Sequence, residues 1–405
     1  MVIIYNIILT LILIVFFPIV LLKYKYDRIS QQYDFWIHCA SLGEVKLALR
    51  FIDCMVRKLN TTKDRFLLTT TTVTAKSYAK KFHTHTYIFP LDYLFVIRKC
   101  VQNIKPKILI ILETELWPNY IYFVKKYNGK IFVINGRMTK RTFVFLKTLK
   151  WLVWPMLRCI DYFLVREKID YIRFVKLGFP TDKVLLTGNM KYDEIDSENT
   201  ITVHKEEFGL NKDDFLVTFG SIREGEEKLI IKKVILNFAN QYKIKFILVP
   251  RHINRVTQIV SLLNKYSIKY KLRTAIQTYQ DNFDCLVVNT YGELNKIYFL
   301  SDIVFVCGSI LPYGGQNMIE PASLGKLVVF GKHISNFMEV ARLLLDSNAA
   351  IQVNNLEDFV KVINKFYQNK EEIVEYGERA KDVIKKLKGV TERNAEIVTN
   401  FIFTL

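Results

Sequence analysis

The sequence predicts an α/β protein of two parallel-sheet domains, and three observations carry that prediction. Short apolar runs alternate with longer amphipathic ones along most of the chain, the rhythm of β–α–β units. A polar stretch, residues 193–205, interrupts the rhythm near the middle, after which it restarts. Hydrophobic residues make up 50% of the 405, enough to bury two sizeable cores and to exclude wholesale disorder.

Residues 1–22, MVIIYNIILTLILIVFFPIVLL, hold no charged side chain. About 20 apolar residues span a bilayer. With neither a basic start nor a small-residue cleavage site, the segment reads as an uncleaved N-terminal membrane-anchor helix. The basic and aromatic flank at 23–28 places the body of the protein on the cytoplasmic side. A first domain, 30–195, shows strand runs at 35–39, 66–70, 108–112, 131–134 and 162–165, with helical patterns at 45–59 and 116–127. A second, 205–405, shows strand runs at 215–219, 245–249, 285–288, 303–307 and 327–330, then Lys/Glu-rich helices from 354 onward. Two Rossmann-like domains of similar size are expected to face a central cleft, because open α/β sheets bind ligands beyond the carboxyl ends of their strands.

The bulk chemistry narrows the function classes. Six cysteines are scattered without a CxxC pair, and six histidines lack HxxxH or HExxH spacing. Both argue against a disulfide scaffold and a zinc site. The net charge is +19 and most of it falls in residues 1–200. That half is expected to face something anionic: a membrane surface, a phosphorylated substrate or nucleic acid.

Chemistry-bearing residues cluster after the strand runs. Glu44, in Ser41-Leu42-Gly43-Glu44, sits where a strand turns into a helix, the place for a general base on an acceptor hydroxyl. A helix-start glutamate favoured by the dipole is the plainer reading of that position. Glu113 and Glu115 follow the next run, beside Trp117-Pro118. Asn135-Gly136-Arg137-Met138-Thr139-Lys140-Arg141 gathers three cations suited to phosphate, Arg137, Lys140 and Arg141. Lys191 closes the domain within reach of these groups. In the second domain, Ser221 and the acidic helix start behind it form a turn, Arg251-His252 ends a strand, and Gly292-Glu293-Leu294 forms another turn. The glycine-rich stretch 308–331, GSILPYGGQNMIEPASLGKLVVFG, offers backbone N–H groups to a phosphate and Glu320 to a ribose diol.

In this order the blocks WIHCASLGE, TTTTVTAKS, ETELWPN, NGRMTKR, GNMKYD, GSIREGEE, VPRH, YGELNKIY and GGQNMIEPASLGK resemble one family. It is the 3-deoxy-D-manno-octulosonic acid (Kdo) transferases of lipopolysaccharide biosynthesis, and the resemblance runs from about residue 35 to about 340. It implies a GT-B fold, no cofactor and no metal ion. It implies CMP-Kdo as donor, a lipid A precursor (lipid IVA) as acceptor, and an inner-membrane location on anionic lipid. Glu44 would be the base of an inverting displacement, with Glu113 or Glu115 and Lys191 assisting. CMP would be held by Ser221, Arg251, His252, Gly292, Glu293, Leu294, Asn317, Met318, Ile319 and Glu320. The chain departs from the family pattern at Asn289, Tyr291 and Gln316. The alternative is another membrane-associated GT-B glycosyltransferase, using a UDP-sugar and a polyprenyl acceptor. A tethered nucleic-acid-binding protein fits the basic charge but gives no use to carboxylates at strand ends, so no nucleic-acid partner is expected.

Overall fold

The computed structural model describes residues 6, 27–90, 92–194, 202–238, 243–276 and 282–403. The anchor expected at 1–22 lies outside the described residues, apart from Asn6. Among the described residues no helix is long and apolar enough to cross a membrane. The chain forms two compact units, residues 1–194 with 389–405, and residues 195–388.

The first unit carries β1 (Phe35–Cys39), β2 (Phe66–Thr70), β3 (Thr86–Ile88), β4 (Ile108–Leu112), β5 (Lys130–Gly136), β6 (Tyr162–Val165) and β7 (Val184–Leu186). They form one sheet in the order β3-β2-β1-β4-β5-β6-β7, and every pairing is parallel. The strands β1, β2 and β4 are buried at every position. That burial explains why they read as unbroken apolar runs, with helices on both faces.

The second unit carries β8 (Phe215–Ile222), β9 (Ile244–Pro250), β10 (Tyr270–Leu272), β11 (Cys285–Val287), β12 (Ile303–Val306), β13 (Leu327–Phe330) and β14 (Ala350–Gln352). Their order is β10-β11-β9-β8-β12-β13-β14, again all parallel. In each sheet the chain reverses its direction of travel at one central pair, β1/β4 in the first unit and β8/β12 in the second. Connections leave such a pair toward opposite faces, which opens a crevice beyond its carboxyl ends.

The C-terminal helix Val390–Phe403 belongs to the first unit, where the sequence reading placed it with the second domain. The physical reason is its apolar face. Val390, Ala395 and Val398 join the core formed by β1, β2 and the helix Leu42–Leu59, and Phe401 packs on Tyr162 with ring centroids 4.2 Å apart. Asp193 fixes the entry of this helix, its carboxylate accepting from Gly389 N (2.7 Å) and Thr391 N (2.6 Å).

Candidate functional site

In the first unit, the residues after β1 and β4 converge at the β1/β4 crevice. Ser41 caps the helix Leu42–Leu59, its Oγ accepting from Glu44 N at 3.3 Å. Glu44 returns the interaction: Oε1 accepts from Ser41 Oγ (2.8 Å) and Oε2 from Ala40 N (2.8 Å). This reciprocal cap holds the carboxylate in one orientation. Burial raises the Glu44 pKa above the ordinary carboxylate range and the nearby Glu113 adds to the rise, while Ala40, Ser41 and Lys191 oppose it. A fixed carboxylate with a raised pKa is a competent proton acceptor.

Glu113 stands at the end of β4 in the left-handed region, φ 55°. Its Oε1 lies 3.3 Å from Lys191 Nζ and 4.0 Å from Arg166 Nη1. Glu115 differs, with burial and then Glu44 raising its pKa against a hydrogen bond from Trp117. Three carboxylates and two cations thus share one small region. Lys191 is placed from both sides of its short turn, where Met190 N donates to Asn135 Oδ1 (3.0 Å) and Lys191 N to Asn189 Oδ1 (3.1 Å).

Arg137, Lys140 and Arg141 are exposed beyond β5. The Thr114 hydroxyl donates to the Arg137 carbonyl, tying that loop to the Glu113–Glu115 turn. Thr139 caps the helix Lys140–Thr148, accepting from Thr142 N at 3.1 Å. Cations in a first helical turn oppose the dipole, so Lys140 and Arg141 do nothing for the helix and add positive potential beside the carboxylates.

Two residues of this region escaped the sequence reading. Arg166 follows β6, and its side chain is 9% exposed between Glu113 and Glu167. The signal was present, since a charged residue directly after a buried strand run is the same position Glu113 occupies after β4. Asp92 is the other. Its carboxylate accepts from Asn119 N (3.0 Å) and Tyr120 N (2.9 Å), capping the helix that Trp117-Pro118 opens. No local pattern marks Asp92, because its partners lie far along the chain.

In the second unit, Ser221, Arg251, Asn317 and Glu320 come together around a residue the sequence did not flag, Tyr298. Burial raises the Tyr298 pKa, Glu320 adds to the rise, and Ser221 and Arg251 oppose it. Gly220 is required beside it, because a Cβ there would stand 2.0 Å from Tyr298 Oη. Ser221 itself is left-handed, φ 60°. Asn317 Nδ2 donates to Glu320 Oε1 (2.9 Å), and Ile319 N to Asn317 Oδ1 (3.1 Å). Burial raises the Glu320 pKa against Asn317 and Arg251. Arg251 and His252 are exposed after β9. The Met318 and Ile319 side chains are buried. The Gly292-Glu293-Leu294 turn follows β11, two strands from β8. The Glu293 carboxylate there is taken up by Arg273 (3.0 Å) and by the Thr290 hydroxyl.

One expectation is corrected. The glycine-rich stretch does not hold its first amides open for a phosphate. Gly308 N (2.7 Å), Ile310 N (3.1 Å) and Leu311 N (3.4 Å) all donate to Glu226, a buried carboxylate of the same unit. A helix-start glutamate is visible in the sequence; its partners 82 to 85 residues away are not.

Residues 21–194 match the family model described as 3-deoxy-D-manno-octulosonic-acid transferase (kdotransferase). The chain is 28% identical to the 3-deoxy-D-manno-octulosonic acid transferase of Haemophilus influenzae, over 93% of this chain and 92% of that protein. It is 34% identical to a bifunctional glycosyltransferase/methyltransferase of Fusobacterium nucleatum, over 86% of this chain; it spans 55% of that relative. Among solved structures, Anabaena HepE in complex with UDP aligns with a TM-score of 0.60 at 13% identity, covering 91% of this chain and all (100%) of that one. The UDP-GlcNAc 2-epimerase of Neisseria meningitidis aligns at 0.58 and 13% identity, covering 92% and 100%. These two share the fold, a pair of parallel-sheet α/β units of GT-B type.

Proposed function

This chain belongs to the Kdo transferase family of glycosyltransferases, and from that premise we propose that it transfers Kdo from CMP-Kdo to a lipid A precursor in lipopolysaccharide biosynthesis. The observation that carries the reading is Glu44, a buried, doubly held carboxylate of raised pKa at the β1/β4 crevice. Glu44 takes the proton of an acceptor sugar hydroxyl. The oxygen then attacks the anomeric carbon of Kdo from the face opposite CMP, the glycosidic C–O bond to phosphate breaks, and the configuration inverts. CMP leaves with the electron pair. Its phosphate charge is met by Arg251, so the displacement draws on protein cations and requires no metal ion. The Lys191–Glu113 ion pair lies close enough to act on the Glu44 carboxylate and assists beside the reacting hydroxyl. Arg137, Lys140 and Arg141 meet the phosphate of the acceptor. Ser221, Asn317 and Glu320 hold the nucleotide, with the backbone at Met318-Ile319 and the 292–294 turn alongside.

The N-terminal segment 1–22 anchors the protein to the inner membrane with its catalytic units on the cytoplasmic side. Anionic lipid adds about 1 kcal/mol for each Lys or Arg near the surface, and the basic first unit supplies several.

The test is direct. The protein is incubated with lipid IVA and CMP-Kdo, with UDP-sugars in parallel, and the lipid product is weighed by mass spectrometry. Addition of one or more Kdo masses supports the reading. Transfer from a UDP-sugar instead, or no transfer to the lipid, overturns it. Removal of residues 1–22 should leave a folded protein that no longer sediments with membranes; undiminished sedimentation overturns the anchor.

A further inference from the structure

The loops after β8 and β12 meet at the second unit's central strand pair, and one side chain joins them. Glu226 Oε2 accepts from Gly308 N (2.7 Å) and Arg223 N (3.0 Å), while Oε1 accepts from Ile310 N (3.1 Å) and Leu311 N (3.4 Å). Four backbone donors from two loops close around one carboxylate that has no solvent exposure (0%). This is the geometry of an anion nest, with the anion supplied by the protein. Around it the same two loops are joined again. Tyr313 Oη donates to the Glu224 carbonyl at 3.0 Å, and the Arg223 guanidinium lies 4.8 Å from the centre of the Tyr313 ring. Gly308 has φ 72°, and a Cβ there would meet the Gln316 side chain at 3.0 Å. The turn that Glu226 gathers is therefore the one that leads into Gln316, Asn317 and Glu320.

We infer that Glu226 is a positioning residue for the donor nucleotide: its carboxylate sets the 308–311 turn, and through it the placement of Asn317 and Glu320 against the nucleotide. Burying a carboxylate is costly unless hydrogen bonds compensate, and a structural cap needs one or two donors rather than four from two loops. The inference rests on the reading of CMP-Kdo as donor, and its consequences separate from it. Its carboxylate is fully buried and taken up by four backbone amides, so its loss should act on nucleotide affinity and not on the chemical step.

Two measurements test it. The first needs no ligand and no variant: amide hydrogen exchange of the wild-type protein. The amides of Gly308, Ile310 and Leu311 should exchange slowly although they lie in a loop, and exchange at the rate of an open loop overturns the inference. The second compares wild type with Glu226→Gln, which places an NH2 where backbone donors need an acceptor. The CMP dissociation constant and the KM for CMP-Kdo should rise roughly ten-fold or more, the scale of losing charge-assisted hydrogen bonds. At saturation, kcat should fall less than about three-fold, since transition-state contacts are intact. Equal CMP affinity in the two proteins, or a loss confined to kcat, overturns the positioning role. Failure of the wild type to bind CMP overturns the donor reading instead, and the exchange measurement still decides whether Glu226 organises the loop.

Discussion

Lys191 Nζ lies 3.3 Å from Glu113 Oε1, and this pair divides the labour among three neighbouring carboxylates. Glu113 has cations on two sides, Lys191 and Arg166. Glu44 and Glu115 have raised pKa values and influence one another. Glu113 is thus the carboxylate engaged by cations, and Glu44, held by Ala40 and Ser41, is the one proposed to take the proton. Removing the Lys191 cation, as in Lys191→Met, takes away an interaction that lowers the Glu44 pKa. The acidic limb of the kcat/KM profile should shift to higher pH in that variant. An unshifted limb would break the link between the two residues.

Glu44→Gln keeps the shape of the helix cap but not the proton acceptor. Turnover should fall by about 10²–10⁴, the usual contribution of a general base. CMP affinity should stay close to wild type, because the residues proposed to hold the nucleotide lie in the second unit. Near-normal turnover in a Glu44→Gln preparation shown free of wild-type protein would remove Glu44 from the mechanism. Arg166→Gln tests the neighbouring ion pair: partly buried Glu113 is left with Lys191 as its cation, and the urea midpoint should show a loss of about 1 kcal/mol or less in folding stability.

Glu115 gives a prediction about stability. Its folded-state pKa is raised, chiefly by burial. Between the ordinary value and the raised one the folded protein binds more protons than the unfolded chain, so stability falls as pH rises through that window. Glu115→Gln removes the cost of holding a partly buried charge. The variant should unfold at higher urea concentration than wild type at pH 8, with the difference shrinking at pH 4. A constant difference across this range would mean that the gain is packing and not ionisation.

Much of this was legible in the sequence, and the omissions follow a rule. The interior strands appeared as apolar runs because both faces of β1, β2 and β4 are buried. The four strands that gave no signal are β3, β7, β10 and β14, which are the four edges of the two sheets. Each is three residues long and partly exposed, as in the Tyr270–Leu272 strand, where no residue is fully buried. Glu44, Glu113 and Glu115 stood out because they follow strand runs, and Lys191 because it closes the first domain in the GNMKYD block. Glu226 was seen only as part of an acidic helix start, and Arg166, Asp92 and Tyr298 were not found at all. Arg166 carried a readable signal, a charge directly after a buried strand run, whereas the partners of Asp92 and Tyr298 are distant in sequence, a relation that no local period records. The first amides of the glycine-rich loop differ from the expectation for the same reason, since the carboxylate that takes up Gly308, Ile310 and Leu311 N belongs to a different strand–helix connection.

Gly377 carries the last prediction, because two effects oppose each other there. It lies within the helix Lys370–Leu387, where alanine is favoured over glycine by about 1 kcal/mol in propensity. Yet a Cβ at Gly377 would stand 2.0 Å from the Gly325 carbonyl oxygen and 2.7 Å from its carbon. Those are backbone atoms of a turn that is itself left-handed, φ 69°, so no flexible side chain can move aside. The helix must shift, and overpacking of this kind costs about 1–3 kcal/mol. Gly377→Ala should therefore lower the urea midpoint despite its better helix propensity. The turn at Gly325 follows the helix Ile319–Ser323 that carries Glu320, so CMP affinity should weaken in the same variant. A more stable Gly377→Ala protein would show that helix and turn separate freely, and that Glu320 is not braced from behind.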